Sequence, residues 1–483
     1  MAINIVKKNT IYNILKSCSS IIFPLITFPY IARILTAESI GKINFGLSII
    51  SYFSLLASLG ISTYAIRECS KVKANSKELF EISSNIYSIN IYSTIITYIL
   101  LVITLLIAKP LHSYFSLIIV QSSSIIFTTF GADWLNNAME DFKYITFRTI
   151  IFNIFSIVLM FIYVRSSSDY IIYAAITVIS TAGSNILNYF YRRKFCKITF
   201  IIRPNFSVHL KPIILLFSLQ LVQIVYVNSD ITILGILRSD YEVGLYSVSV
   251  KIYNLVQTLM NSVVLVVLPQ LSTAYFEKNY STINELLKYS LNFIIGLGLP
   301  CLIGINVIGK EVIILLAGIE YINALTSLRI LTIALLWSFL AGFLGNLIMI
   351  PSGRDKICLI SSIISALANI VLNLILIPKW GIEAAAFTTT ISQALGFIIK
   401  LPFIEEEIAL GPLHYILLGP LIGCIFIIFI SLIINIFITN QFIKVTLIIV
   451  LSIPIYFLCL VMSKHEFGKE GIVLIRKVLT QNK

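Results

Sequence analysis

The chain has 483 residues, of which 58% are hydrophobic and only 12% are charged, and its mean hydropathy is +0.96. This composition excludes a soluble globular protein and predicts an all-α, polytopic integral membrane protein. The net charge of +13 could suit nucleic acid, but the basic residues concentrate in loops between apolar segments. They are better explained as topology signals near anionic headgroups of membrane lipid, so no nucleic-acid partner is expected.

Fourteen apolar segments are long enough to span a bilayer, because about 20 apolar residues cross the hydrocarbon core as a helix. Their predicted limits are roughly 11–32, 41–63, 82–107, 113–137, 144–164, 169–190, 212–236, 243–269, 289–316, 322–350, 357–377, 382–402, 413–438 and 443–463. The first segment carries no signal-peptide cleavage site and is expected to remain as an anchor. The loop charges place both termini in the cytoplasm. The cysteines and histidines form no metal-ligand or disulfide pattern, so no metal and no cofactor are expected.

Three weak echoes indicate that the chain contains a duplicated six-helix unit. An even number of spans gives parallel repeats, related by an axis along the membrane normal. The predicted domains are an N-terminal lobe at 1–203, a C-terminal lobe at 204–407, and an added hairpin with a cytoplasmic tail at 408–483. The paired stretches are Ile34–Gly41 with Ile236–Gly244, Gly131–Lys143 with Gly345–Lys356, and Tyr173–Thr177 with Ala384–Thr388.

Polar residues at helical spacing predict a wet cavity between the two lobes. The eighth segment carries a lysine within such a stripe, and the second and seventh segments carry stripes of their own. Packing between helices is the alternative, since small polar residues also join membrane helices. The stripes comprise Ser247, Lys251, Asn254, Thr258 and Asn261 on segment eight; Asn44, Ser48 and Ser51 on segment two; and Gln220, Gln223 and Asp230 on segment seven.

Lys251 is the strongest indication of a binding site, because an ammonium near the bilayer centre costs roughly 2.5–3.5 kcal/mol unless water or a partner receives it. With Arg329 or Arg33 near one mouth, such a cavity would attract an anionic group. Two alternatives stay open: Asp230 could neutralise Lys251 within a structural pair, and Arg329 could extend its guanidinium to the membrane surface. Asp133 and Asp230 are candidates for coupling to a proton or sodium ion, or for fixed counter-charges.

Three stretches carry a family resemblance. "PLITFPYIARILTAESIGKINFGLSIISYFSLLASLGISTYAIREC" resembles the amino-terminal signature of the bacterial polysaccharide-transport family. "FSLQLVQIVYVNSDITILGILRSDYEVGLYSVSVKIYNLVQTLMNSVVLVVLPQLS" is similar to its mid-chain signature, and "LNLILIPKWGIEAAAFTTTISQALGF" to a later one. The superfamily also includes the multidrug and toxin extrusion (MATE) transporters. Many O-antigen flippases are drawn with twelve spans, so segments thirteen and fourteen depart from that pattern.

The resemblance implies a flippase, not an enzyme, in the bacterial cytoplasmic (inner) membrane. Its substrate would be an undecaprenyl-pyrophosphate-linked oligosaccharide for O-antigen, lipopolysaccharide or capsule synthesis, moved by alternating access. Polymerase and chain-length proteins of the same glycan pathway are candidate partners. Two alternatives remain: a MATE-type multidrug or cation antiporter, which should present accessible acids, and a membrane-embedded glycan polymerase or transferase, which should present a carboxylate or histidine cluster at an aqueous loop.

Overall fold

The computed structural model describes residues 2–469 and 471, and these residues form helices and no strand. Twelve helices are long and apolar enough to cross a membrane, and Ile22–Ile34 is a further, shorter apolar stretch. The predicted all-α polytopic fold is therefore confirmed.

The chain divides into two compact units, residues 1–244 and 245–483. The helices that begin in the N-terminal unit are α1 (Ala2–Ile34), α2 (Ala37–Ser58), α3 (Ile61–Lys71), α4 (Ser76–Ile107), α5 (Phe115–Gly131), α6 (Trp134–Ala138), α7 (Phe142–Tyr163), α8 (Tyr170–Val178), α9 (Ser184–Tyr191), α10 (Phe206–Leu237) and α11 (Asp240–Phe276). A π-helical turn, Ile179–Gly183, joins α8 to α9. Most of α11 belongs to the C-terminal unit.

The C-terminal unit continues with five long helices. They are α12 (Tyr280–Leu316), α13 (Leu325–Gly342), α14 (Asp355–Ile398), α15 (Leu413–Phe437) and α16 (Gln441–Met462). A π-helical segment, Phe343–Met349, extends α13. In the core of the C-terminal unit, α13 packs against α14 and α12. Helices α15 and α16 also lie against α12.

Two predicted spans, the eleventh and the twelfth, appear as the single long helix α14, which is broken in the middle. Gly381 interrupts it with φ 58° and ψ −128°, a conformation that only glycine adopts without strain. Pro378 lies just before the break and removes a backbone donor. The eleventh and twelfth predicted segments therefore lie on the two sides of Gly381.

The starts of α2 and α11 approach each other through two glycines. A Cβ on Gly41 would overlap the carbonyl group of Asp240, and a Cβ on Gly244 would overlap the carbonyl group of Ala37. The contact is reciprocal. Gly41 meets Asp240, which lies four positions before Gly244, and Gly244 meets Ala37, which lies four positions before Gly41. These glycines end the first pair of sequence echoes, and reciprocal contacts are what a two-fold relation between repeats produces.

The compact N-terminal unit extends beyond the predicted repeat boundary at 203, because α10 packs on α2 and α3. Tyr52 and Thr232 share a hydrogen bond of 3.0 Å across the α2–α10 contact. Compactness and duplication are different properties, so the repeat limits of 203 and 407 stay predictions.

Candidate functional site

The polar stripe on α11 leaves most of its side chains uncovered. Ser247 is buried and Lys251 is half-buried, whereas Asn254, Thr258 and Asn261 are exposed. Exposed amides and hydroxyls are costly in hydrocarbon, where no water can satisfy them. This face of α11 is therefore suited to water or to a polar ligand.

The stripe on α2 is packed differently. Ser48 is buried, donates to the Phe45 carbonyl at 2.7 Å, and accepts a hydrogen bond from Thr232 of α10 at 3.0 Å. Asn44 and Ser51 are half-buried and donate to carbonyls of their own helix. On α2, Ser48 thus contributes to the contact between helices.

The remaining predicted site residues are dispersed. On α10, Gln220 is half-buried, Gln223 is exposed and Asp230 is buried. Arg33 is exposed at the end of α1 and donates to the Pro29 carbonyl at 2.7 Å. Arg329 is exposed in the second turn of α13.

Asp133 is held by an arginine that the sequence interpretation did not single out. Arg148 of α7 is 4% exposed, and its Nη2 donates to Asp133 Oδ1 at 2.7 Å. Arg148 also lies over the Tyr144 ring, 5.3 Å from its centroid. Among residues 2–469 and 471, its Nε and Nη1 atoms have no hydrogen-bond partner. The signal in the sequence was a basic residue within the apolar run at 144–164.

Aromatic rings and amides surround this ion pair in the N-terminal unit. Tyr144 stacks on Tyr191, with ring centroids 3.5 Å apart, and Tyr191 donates to Asp141 at 2.7 Å. Asn188 of α9 donates to the Gly131 carbonyl at 2.8 Å. These contacts fix the ends of α5, α7 and α9 around the Arg148–Asp133 pair.

A polar cavity of about 300 Å³ lies within the C-terminal unit. Its polar lining includes Gln257, Asn261, Asn346, Ser362, Gln393 and Lys400. Lys400 is 8% exposed, and its Nζ donates to the Ala341 carbonyl at 3.2 Å. Gln257 donates to Ser338 at 2.7 Å. Only Asn261 of this set was predicted as a site residue.

A second buried polar cluster lies on the two parts of α14. Asn373 donates to Asn369 at 3.1 Å, and the Thr388 hydroxyl donates to Asn373. All three side chains are buried. The break at Gly381 brings the two parts of α14 together, and the sequence pattern did not predict this cluster.

Metal ligation of the usual kind is not indicated within residues 2–469 and 471. No group of three or more histidine, cysteine, aspartate or glutamate side chains in this part of the chain is placed to hold a metal ion.

Two solved structures share this fold. The lipid II flippase MurJ in an inward closed conformation superimposes with a TM-score of 0.75 at 19% identity, covering 96% of this chain and 100% of that chain. An inward-facing MATE family multidrug resistance transporter gives a TM-score of 0.59 at 15% identity, covering 82% and 93% of the two chains.

Comparisons of sequence identify relatives that are named as transporters. A "Putative O-antigen transporter" of Shigella dysenteriae is 23% identical over 353 residues, which are 73% of this chain and 88% of the relative. A protein of the same name in Escherichia coli (strain K12) is 23% identical over 336 residues, 68% of this chain and 79% of the relative. The family described as "Polysaccharide biosynthesis protein" matches residues 6–275. The chain therefore belongs to this polysaccharide biosynthesis family, as the resemblance predicted.

Proposed function

We propose that this protein is a flippase for lipid-linked oligosaccharide. It moves undecaprenyl-pyrophosphate-linked repeat units from the cytoplasmic to the outer leaflet of the bacterial cytoplasmic membrane by alternating access, for O-antigen or capsule synthesis. Both termini lie in the cytoplasm. Family membership, the names of the two sequence relatives and the fold shared with a lipid II flippase support this proposal.

The exposed polar stripe of α11 is the observation that carries the proposal. Asn254, Thr258 and Asn261 stay uncovered on a helix that also presents Lys251, whereas Ser48 on α2 is packed between helices. Side chains that served only to join helices would be covered. An exposed polar face with an ammonium group suits a ligand that is both hydroxyl-rich and anionic.

The residues divide into two proposed roles. Lys251 binds phosphate, and Arg329 and Arg33 are further cationic groups for it. Amide and hydroxyl side chains replace the water that the sugar loses on leaving solution. The proposed sugar-binding set is Asn44, Ser51, Gln220, Gln223, Ser247, Asn254, Thr258 and Asn261, while Ser48 supports it through packing.

The membrane potential can supply much of the driving force. Two negative charges moving outward across an inside-negative membrane gain about 2.3 kcal/mol per charge per 100 mV, or roughly 4–5 kcal/mol in total. A coupled ion is therefore not required. The ion pair with Arg148 makes Asp133 a fixed counter-charge in this proposal, which leaves Asp230 as the candidate for ion coupling.

The phosphate role is tested by exchanging Lys251 in cells whose own copy of the gene is deleted. Lys251→Ala and Lys251→Glu should lose most surface glycan, while Lys251→Arg retains part of it, with membrane abundance measured by immunoblot. Lys73→Ala is the control, because Lys73 is an exposed lysine whose surface pair with Glu140 contributes little to stability. Unchanged glycan in Lys251→Glu would contradict the phosphate role.

Ion coupling is tested by collapsing the membrane potential and the pH gradient separately while sugar export is measured. We expect sugar export to decrease when the membrane potential is collapsed. Export that ignores the potential, follows the pH gradient and is lost in Asp230→Asn would instead favour an antiporter.

A further inference from the structure

The cavity of the C-terminal unit places a buried ammonium group in a space that lacks acids. Neither aspartate nor glutamate lines it. Within residues 2–469 and 471, Lys400 takes part in no ion pair, and its single protein hydrogen bond goes to the Ala341 carbonyl. Three acids of this unit form ion pairs away from the cavity: Glu405 with Arg354, Glu311 with Lys444 and Glu466 with Lys288.

An ammonium that is 8% exposed and faces no carboxylate carries a large desolvation cost. One carbonyl offsets only part of this cost, because the group has three donors. A mobile anion in the cavity would offset much of the rest.

Amide side chains line the rest of the cavity's polar wall, and one of them, Gln257, has a buried Oε1 acceptor with no hydrogen-bond partner in the described part of the chain. The side-chain amides of Asn261, Asn346 and Gln393 also line it, and none of them makes a hydrogen bond to the part of the chain that the structure describes. Each amide offers two N–H donors. Together with Lys400 they form a cationic site that is rich in donors.

The backbone of the π-helical segment Phe343–Met349 lies beside the lysine. A Cβ on Gly345 in this segment would lie 3.4 Å from Lys400 Nζ, close to an ordinary van der Waals contact. A π-helical turn within an α-helix is common at functional sites. The volume of about 300 Å³ exceeds the roughly 30 Å³ share of one water molecule and accommodates a phosphate group with its waters.

We propose that this cavity is an anion site, in which Lys400 and the amides of Asn261, Asn346 and Gln393 bind a phosphate group. The group is either free phosphate from solution or the headgroup of a phospholipid. The site shares Asn261 with the proposed sugar-binding set, but its cation is Lys400 and not Lys251, and it does not depend on which substrate the protein transports.

Binding is measured on the purified full-length protein in detergent, with gluconate as the only other anion. Inorganic phosphate and the short-chain lipid dihexanoyl phosphatidic acid are titrated separately while thermal unfolding is followed. At least one probe should raise the Tm saturably in the wild type. Lys400→Met should weaken the binding of that probe by at least about tenfold, and Lys73→Met, which removes an exposed charge, should keep the wild-type midpoint.

The two probes identify the source of the anion. Saturation by inorganic phosphate assigns a soluble anion, and saturation by the lipid alone assigns a headgroup. If Lys400→Met does not fold, Gln393→Leu is used instead, because it keeps the charge and removes one amide. The probe concentration at the midpoint of its titration should rise severalfold. A wild type that responds to neither probe, or a Lys400→Met or Gln393→Leu midpoint equal to that of the wild type, would overturn the proposal.

Discussion

Arg148 and Lys400 are buried basic side chains, one in each unit of the protein, and the two units treat them differently. In the N-terminal unit Arg148 is 4% exposed and bonded to Asp133 at 2.7 Å. In the C-terminal unit Lys400 is 8% exposed and bonded to the Ala341 carbonyl, beside a cavity of about 300 Å³. A π-helical turn accompanies each base: α7, which carries Arg148, packs on Ile179–Gly183, and Ala341, which accepts from Lys400, lies two residues before Phe343–Met349.

This difference separates a charge that belongs to the framework from one that is available to a ligand. An arginine bonded to a carboxylate within packed helices is already neutralised, and breaking the pair exposes the full cost of burying it. A lysine beside an acid-free cavity has no such partner to lose. The chemistry of a buried base is therefore determined by what faces it, which the base itself does not reveal.

The largest effect is expected at the ion pair. Asp133→Asn leaves Arg148 buried and unneutralised, which should cost about 3–5 kcal/mol and should lower the Tm and the yield of monodisperse protein. The double change Asp133→Leu with Arg148→Met should recover most of this loss. Glu140→Gln is the control, because its pair with Lys73 is exposed and worth less than about 1 kcal/mol. An Asp133→Asn protein as stable as Glu140→Gln would refute the framework role.

A smaller effect is expected where backbone contact closes the N-terminal unit. Gly41→Ala places a Cβ against the Asp240 carbonyl, so overpacking should cost about 1–3 kcal/mol. Gly304→Ala is the matched control, since no atom lies within 4 Å of its Cβ position. Thermal unfolding of the two variants measures the difference. Equal Tm values would show that the α2–α11 crossing can relax.

A third buried base, His465, can avoid its charge altogether. Burial lowers the pKa of His465 from its ordinary value of 6.5, against the opposing effects of a hydrogen bond with the Ile416 carbonyl and of the charge on Glu466. The folded protein thus favours the neutral ring. The contribution of the neutral His465 ring to the free energy of unfolding is complete above pH 6.5. It is lost as the pH falls toward the lowered pKa, by at most about 1.4 kcal/mol per pH unit.

The measurement for His465 is the Tm between pH 7.5 and 5.5 in the wild type and in His465→Gln. The wild type should lose more stability on acidification than the variant. Parallel pH profiles would show that other groups carry the acid sensitivity.

The smallest effect on stability is expected at Lys400. In buffer that lacks small anions, Lys400→Met should change stability by less than about 1 kcal/mol, because the lost carbonyl bond is offset by removal of an uncompensated buried charge. Its Tm is compared with that of Asp133→Asn under identical conditions. A loss as large as that of Asp133→Asn would mean that Lys400 is part of the framework after all.

The spans were predictable because each depends on one local property, a run of apolar residues long enough for the bilayer. The stripe of α11 was predictable for a similar reason, since helical spacing alone places Lys251 and Asn254 on one face. The break at Gly381 was visible only as a short interval between two apolar runs.

The partners of charged residues were not predictable. Arg148 and Asp133 are 15 positions apart, and the packing of α7 against α6, which Asp133 precedes, brings them together. Lys400 looked like an ordinary charge at the end of a segment, because most of the groups that face it come from elsewhere: the carbonyl from α13, and amides from α11 and the π-helical segment, with only Gln393 from α14. Such contacts depend on tertiary structure, which a single sequence does not display.

The most direct test of the account is transport by purified protein. Proteoliposomes carrying lipid-linked oligosaccharide on one leaflet would report its arrival on the other through a membrane-impermeant glycan-modifying enzyme, with an imposed membrane potential. We expect potential-dependent movement by the wild type and by Lys73→Gln, which removes an exposed charge, and a rate at least about tenfold lower for Lys251→Gln. Equal rates for Lys251→Gln and the wild type would contradict the phosphate role of α11, and absence of movement by the wild type would contradict the flippase proposal itself.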